Sequence, residues 1–515
     1  MSCVLWRVLF SPRCVWLCVY VWLCVCGCVC MCVCVCVCLC MVSPLYCCQP
    51  SSALLLRRQN LAAVQAHYFS EPPQIERGWR QHLVDTRGRA YLDVVNNVAV
   101  LGHCHPAVLR ATTRQLSLLN TNSRFVYAAL GEYAERIVKS MPAHSGLDSV
   151  FFVNSGSESV DLALRLARTY TGGRRDILCL EGGYHGVTTA SSEISTTLND
   201  NPNSRDSRPP YIHLMPMPNL YRGRFTGADR EERYVEAVRA AVQQLVGGGG
   251  GGKQESGQGN CGPACFIAES LVGNAGGVEL PPGYLRRVYE IVRAAGGVCI
   301  ADEVQIGLGR LGSYFWGFQE HGVTPDIVTM AKAAGNGHPV GFVVTTKKIA
   351  EAFSAEGTFF SSAGGNPVSC AVGSAVLDTI RHDRLQENAK EVGAHLSRRF
   401  GDLLRKYPHE VGMIHGHGLY QGVEIVRNGG NDDSHSGHQP ATAAANAICD
   451  RLLELGVACH ATGDYSNVLK CKPPLCITRA SADFFVDALD QVLRERVSCC
   501  NKPVHAHQRS LLAKL

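Results

Sequence analysis

Val298-Cys299-Ile300-Ala301 runs straight into Asp302-Glu303, and further on Ile327-Val328-Thr329-Met330-Ala331 runs into Lys332. Gly296-Gly297 precedes the first run and Pro325 the second. Short apolar runs rich in β-branched residues and bounded by glycine or proline read as buried strands. In open parallel sheets ligands bind beyond the carboxyl ends of the strands, which is where Asp302 and Lys332 fall. A carboxylate and an amine at neighbouring strand ends suggest a cofactor site. Taken singly, each also fits an ordinary exposed strand end, so the surrounding chain has to decide.

Upstream, Ser149 to Val153 reads as a strand, Asn154-Ser155-Gly156-Ser157-Glu158 as a turn, and Ser159 to Tyr170 as a helix. Such a turn offers free N–H groups and hydroxyls at a helix start, which suits a phosphate, or else simply caps the helix. Asp176 to Leu180 is a further strand. It ends at Gly182-Gly183-Tyr184-His185-Gly186, where an aromatic among glycines can stack on a flat ligand. Residues 199 to 230 are polar and punctuated by proline, and read as a long surface excursion. Asp229 to Val246 reads as a helix and Gly247 to Gly262 as a low-complexity loop. Ala264 to Ala268 is another buried strand ending in an acid, Glu269. Tyr284 to Ala295 is a helix, and Val340 to Thr345 a strand. This alternation predicts an α/β fold with a largely parallel sheet covered on both faces.

Towards the N-terminus, Arg87-Gly88 reads as a turn between two short strands. Gly102-His103-Cys104-His105-Pro106 opens a helix; three adjacent residues do not converge easily on one ion, so it reads as a structural turn and no metal is expected. Asn120-Thr121-Asn122-Ser123-Arg124 is a polar loop in which Arg124 could bind an anion. From Asp383 onward come a long charged helix to about Tyr407, a strand Leu419 to Val426, a polar insertion Asn428 to His438, a helix to Leu455 and a strand into Lys470-Cys471-Lys472-Pro473-Pro474. That is a second, smaller α+β domain.

At 515 residues the chain exceeds what one core usually serves. Its net charge of +5 has no basic block behind it, which leaves nucleic-acid binding without support. Of 26 cysteines, 14 fall within residues 1–48, mostly in a Cys-Val repeat, and the rest show no paired spacing, as in a reduced intracellular enzyme. Residues 14–42 carry no charge. Two readings stand for them: a targeting or membrane-anchoring segment, or a translated TG repeat from a mistaken start exon. The expected division is 1–48 low complexity, 49–100 the N-terminal segment of the small domain, 101–375 the large domain, 376–500 the small domain, and 501–515 a tail.

With Asn154-Ser155-Gly156-Ser157-Glu158, Tyr184-His185-Gly186, Ala301-Asp302-Glu303-Val304-Gln305, Lys332 and Gly364-Gly365-Asn366-Pro367 in order, the chain resembles class III aminotransferases. These are fold-type I enzymes of pyridoxal 5'-phosphate, with a large, mainly parallel-sheet domain and a smaller α+β domain. The resemblance implies that Lys332 is the covalent anchor and the base for the substrate's Cα proton. It implies that Asp302 pairs with the pyridine nitrogen, Gln305 contacts the ring hydroxyl, Tyr184 stacks on the ring, and the Gly156-Ser157 amides hold the phosphate. Ser362 stands where the family usually has a threonine reaching the neighbouring subunit's cofactor phosphate, which implies a homodimer, or a dimer of dimers, with shared active sites. Ala363 replaces a usual aromatic.

Leu119-Asn120-Thr121-Asn122-Ser123-Arg124, Gly335-Asn336-Gly337-His338-Pro339-Val340 and Leu469-Lys470-Cys471-Lys472-Pro473-Pro474 look like the subfamily that contains ethanolamine-phosphate and 5-phosphohydroxy-lysine phospho-lyases. Many class III transaminases carry an arginine for the substrate carboxylate where Lys470 stands; without that guanidinium a site is less committed to α-amino acids. The resemblance implies elimination of phosphate from a phosphorylated amine or amino acid, with Arg124, Glu269 and Lys470 as candidate substrate contacts. A transaminase and a non-catalytic cofactor-binding homologue are the alternatives. Ser159-Val160, Val100 and Ser466 depart from the close relatives' pattern. The resemblance implies a mitochondrial protein, with a cytoplasmic one, or one anchored through residues 14–42, as alternatives.

Overall fold

The computed structural model describes residues 50–247, 261–428 and 438–500. The apolar segment 14–42, most of the glycine-rich loop and of the 428–438 insertion, and the 501–515 tail lie outside the described residues. The described residues 50–65, with the helix Pro50–Asn60, belong to one unit, and the described residues from Ala66 onward to another. Among the described residues no helix is long and apolar enough to cross a membrane.

Seven strands build the principal sheet: β1 (Ser149–Val153), β2 (Ile177–Leu180), β3 (Ile212–Met215), β4 (Cys265–Glu269), β5 (Val298–Asp302), β6 (Ile327–Met330) and β7 (Gly341–Thr345). Their order is β1-β7-β6-β5-β4-β2-β3. All pairings are parallel except those of β7, which runs antiparallel to both β6 and β1. β3 lies inside the stretch read from sequence as a surface excursion, and this corrects that expectation. Its four residues Ile212-His213-Leu214-Met215 include a histidine and follow Pro209-Pro210, so they lack the apolar run that marks β4 and β5.

The centre of the sheet is apolar on both faces because helices cover both. Val298 and Ile300 of β5 pack in one cluster with Val160 and Leu164 of α1 (Gly156–Tyr170). Cys299, pointing the other way, packs with Val235 of α2 (Arg230–Val246) and Val288 and Val292 of α3 (Tyr284–Ala294). Alternation places Asp302 on the same face as Val298 and Ile300, towards α1. In α3, Leu285, Val288, Tyr289 and Val292 recur at helical spacing and are all buried, which is why the helix ends docked ahead of β5.

Three further sheets lie outside this one among the described residues, the smallest being the antiparallel pair Leu271–Val272 and Val278–Glu279. Ile75–Trp79, His82–Asp85 and Ala90–Asp93 pair in sequence, and Val457–Ala458 adds to the last in parallel. Val411–His417, Tyr420–Asn428, Val468–Cys471 and His460–Thr462 form an antiparallel sheet. The strand Val411–His417 was not foreseen: Gly412, His415, Gly416 and His417 break its apolar run, and its pairing with Tyr420–Asn428 supplies the stability. Buried Arg310 joins this sheet to the loop after β5, donating from Nη1 to the carbonyls of Leu419 (2.9 Å) and Pro473 (2.8 Å).

Candidate active site

α1 begins where β1 ends. Ser155 is its N-cap and accepts from the Glu158 N–H (3.2 Å), while the Glu158 carboxylate reaches back to the Asn154 N–H (2.7 Å). This fixes the turn so that Gly156 and Ser157 present free N–H groups at the positive end of a 15-residue helix, a place that favours an anion. Gly186 closes the same cup at a φ of +138°; a β-carbon there would stand 2.5 Å from Ser157 Oγ and 2.6 Å from Ser191 Oγ.

Parallel pairing puts Asp302 opposite Glu269 and beside Thr329. Asp302 is buried, accepting from the Val304 N–H and Thr329 Oγ1, each at 3.1 Å, and lying 2.7 Å from His185 Nδ1. Nε2 of His185 is buried with no partner among the described residues. Lys332 starts the short 3-10 helix Lys332–Gly335 that follows β6. Burial pushes its amine below the ordinary lysine range, against the pull of Asp302 and Glu269, which favours the neutral form a nucleophile and base require. Its Nζ lies 5.9 Å from the centre of the Tyr184 ring.

Gly156, Ser157, Tyr184, Asp302, Gln305 and Lys332 line one cavity of about 260 Å³. Beside it Glu269, Gln305, Asn274 and Lys470 form a chain of contacts. Gln305 Nε2 donates to Glu269 Oε1 (3.3 Å) and Asn274 Oδ1 (3.2 Å), and the Lys470 amine donates to the same Asn274 oxygen (3.3 Å). Lys472, two residues on, donates to Asn97 Oδ1 (3.4 Å), and Asn97 donates to Gln305 Oε1 (3.2 Å). Burial pushes Lys470 down to about 8, and Lys472 well below the usual lysine range.

The structure does not bring every candidate to the cavity. Arg124 is exposed and lies over the Phe360 ring, 4.0 Å from its centre, and Ser362 is exposed on the following loop. Val100 is fully buried in the core, so its side chain has no direct part in binding. Ser466 bonds Asn199 Oδ1 (2.8 Å). His103 and His105 take separate partners, Asp93 (2.7 Å) and the Ala107 N–H (3.3 Å), as a structural turn would have it. They border a larger cavity of about 580 Å³ that holds none of the candidate residues. Four residues at or beside the cavity lacked an assigned role from sequence: His185, Asn97, Asn274 and Lys472. His185 and Lys472 stand inside motifs already singled out; Asn97 carries no local signal.

Glu269 is buried, and its Oε2 has no partner among the described residues. Burial first, and then Asp302, push its carboxyl up to about 7. Between the ordinary value and this one the folded chain holds a proton that the unfolded chain has lost, so folding stability falls as pH rises through that window. Glu269→Gln, which keeps the accepting oxygen, is therefore expected to gain thermal midpoint relative to the parent between about pH 5 and pH 7. A difference independent of pH in a thermal-shift series would contradict this.

A mainly parallel sheet whose strand ends gather a half-buried lysine, a buried aspartate, a tyrosine ring and a helix start with free N–H groups suits a flat, phosphorylated cofactor. Residues 65–493 match the family described as aminotransferase class-III. A Drosophila melanogaster protein named alanine–glyoxylate aminotransferase 2-like is 40% identical over 90% of this chain and 92% of its own. A Caenorhabditis elegans protein named ethanolamine-phosphate phospho-lyase homolog 1 is 38% identical over 85% of this chain and 93% of its own. Among solved structures, an Arthrobacter phospholyase in complex with phosphoethanolamine superposes with a TM-score of 0.77 at 33% identity, covering 88% of this chain and 100% of that one. The chain belongs to the class III aminotransferase family. It is a pyridoxal-phosphate-dependent enzyme.

The residues present fit that cofactor: the cup at Gly156 and Gly186 admits no further side chain, and Lys332 and Asp302 line the same cavity. Gly186→Ala is expected to weaken pyridoxal phosphate retention by about tenfold to a hundredfold, read by equilibrium dialysis. Unchanged retention would remove the cup from the binding site.

Proposed function

We propose that the enzyme is a lyase that eliminates phosphate from a phosphorylated amine such as phosphoethanolamine, giving acetaldehyde, ammonia and phosphate. The observation that carries this reading is the pair Lys470 and Lys472. Both are buried, both donate to amide oxygens, and neither is in an ion pair among the described residues. Two buried lysine amines held only by amide oxygens, each pushed down by burial, suit a site that receives a dianion. The names of the Caenorhabditis elegans relative and the Arthrobacter structure support the same reading.

Bound pyridoxal phosphate supplies the electron sink that makes the carbon next to nitrogen acidic. The chain's residues have these proposed parts. Lys332 anchors the cofactor and takes the proton from that carbon. Asp302, held by Thr329 and His185, keeps the pyridine nitrogen charged; Tyr184 stacks on the ring, Gln305 meets its hydroxyl, and Gly156 and Ser157 hold its phosphate. Glu269 and Lys470 face the substrate. Ser362 and Arg124, outside the cavity of their own chain, serve that of a second copy in a homodimer. A large domain at 101–375 carrying the cofactor residues, a small one at 376–500 carrying Lys470, and a mitochondrial setting complete the proposal.

The test is the full chain, loaded with cofactor, given phosphoethanolamine and no keto acid. Release of inorganic phosphate with acetaldehyde is expected. Amino transfer on adding a keto acid, with no phosphate released in its absence, would replace the lyase by a transaminase.

A further inference from the structure

A phosphate monoester is mostly dianionic at neutral pH, so C–O cleavage without proton transfer would expel a trianion. An elimination of this kind therefore gains from a general acid at the bridging oxygen, and Lys332, the base, starts the step without its proton. A second proton-bearing group is needed near the leaving phosphate.

The sheet offers one. Lys470 and His460 face each other directly on antiparallel strands, so their side chains share a face, and Lys472 lies on the same side two residues on. The ring of Tyr68 lies against His460 at a tilt of 39°, with centroids 4.5 Å apart. The Lys470 amine is one amide away from Gln305, which lines the cofactor cavity. We infer that Lys470 is the proton donor to the leaving phosphate, with Lys472 holding the anion beside it. The inference rests on the lyase reading and deepens it.

As Lys332 takes the proton from carbon, the freed electron pair forms the new C=C bond and the C–O bond breaks with its pair on oxygen. An N–H proton of Lys470 moves to that oxygen. Hydrogen phosphate departs, and the neutral Lys470 amine recovers its proton from water. The groups facing Lys470 suit this. Asp200 and Glu269 favour its charged form, while burial and Lys332 oppose it, which leaves its acidity at about 8, near working pH. His460, pushed down to about 4 by burial and then by Lys470 and Lys472, holds no proton to give at neutral pH.

Lys470→Arg separates donation from binding, because a guanidinium holds phosphate but does not give up its proton. The variant and its parent are compared on phosphoethanolamine and on 2-aminoethyl hydrogen sulfate, whose leaving sulfate needs no proton. The expected result is a kcat loss of about 10²- to 10⁴-fold on the phosphate ester and under about tenfold on the sulfate ester. Calorimetric titration with inorganic phosphate should show binding retained within about threefold. Equal losses on both esters, or lost phosphate binding that matches the kcat loss, would overturn the donor role. If the parent enzyme does not accept the sulfate ester, Lys470→Ala with added alkylammonium ions decides: recovery graded by their acidity supports the inference and no recovery sinks it. A parent enzyme that releases neither anion overturns the lyase reading itself, and this inference with it.

Discussion

Lys332→Ala is expected to lower phosphate release by on the order of 10⁴-fold or more, since in the proposed function one amine is both the covalent anchor and the base. The same change should remove the visible absorption that covalently held pyridoxal phosphate gives. Loss of fold is not the expected cause. Lys332 is half-buried, and desolvation pushes its amine below the ordinary range, so the folded chain bears a cost that alanine removes. The thermal midpoint of the cofactor-free variant should accordingly match or exceed that of the cofactor-free parent. The side chain also starts the turn Lys332–Gly335 at a φ of +20°, but alanine can adopt that backbone as readily as lysine. A variant that kept a tenth of the activity, or kept the absorption, would move the anchor to another amine; Lys470 and Lys472, both close enough to feel the charge of Lys332, are the candidates.

The strand ends were legible because local sequence carries them. β5 and β6 are short apolar runs that stop at a charge, and parallel pairing then places Asp302 and the Lys332 turn side by side without further instruction. The anion cup was legible for the same reason, since Ser155, Gly156 and Glu158 act within four residues of one another. The network behind the cofactor was not. Asn97, Asn274, Gln305 and Lys472 come from four separate stretches, and their hydrogen bonds exist only after the antiparallel sheet has closed against the loop that follows β5. β3 stayed hidden because a sheet edge asks less of apolar pattern than a sheet centre does.

Asp302→Asn should separate charge from scaffold. An amide oxygen can still accept from the Val304 N–H and from Thr329 Oγ1, the two bonds of 3.1 Å that fix Oδ1, so the strand end should keep its shape. Oδ2, which faces His185 Nδ1 at 2.7 Å, becomes an NH₂ group, and the imidazole must then accept at Nδ1 and carry its proton on Nε2. What disappears is the negative charge proposed to keep the pyridine nitrogen protonated, and with it the electron demand that would acidify the substrate carbon. Removing one preorganised electrostatic partner of a developing charge costs about 10²- to 10³-fold in kcat, and a loss of that size is expected here. KM for phosphoethanolamine should move little, because the proposal assigns Asp302 to the cofactor and Lys470 and Lys472 to the substrate anion. Cofactor absorption should persist, unlike in Lys332→Ala. If the variant instead retained kcat within a few-fold while losing cofactor on dialysis, Asp302 would be a structural clasp of the β5 end, and the electron-sink role would fall to His185, the polar neighbour whose Nε2 is buried without a partner.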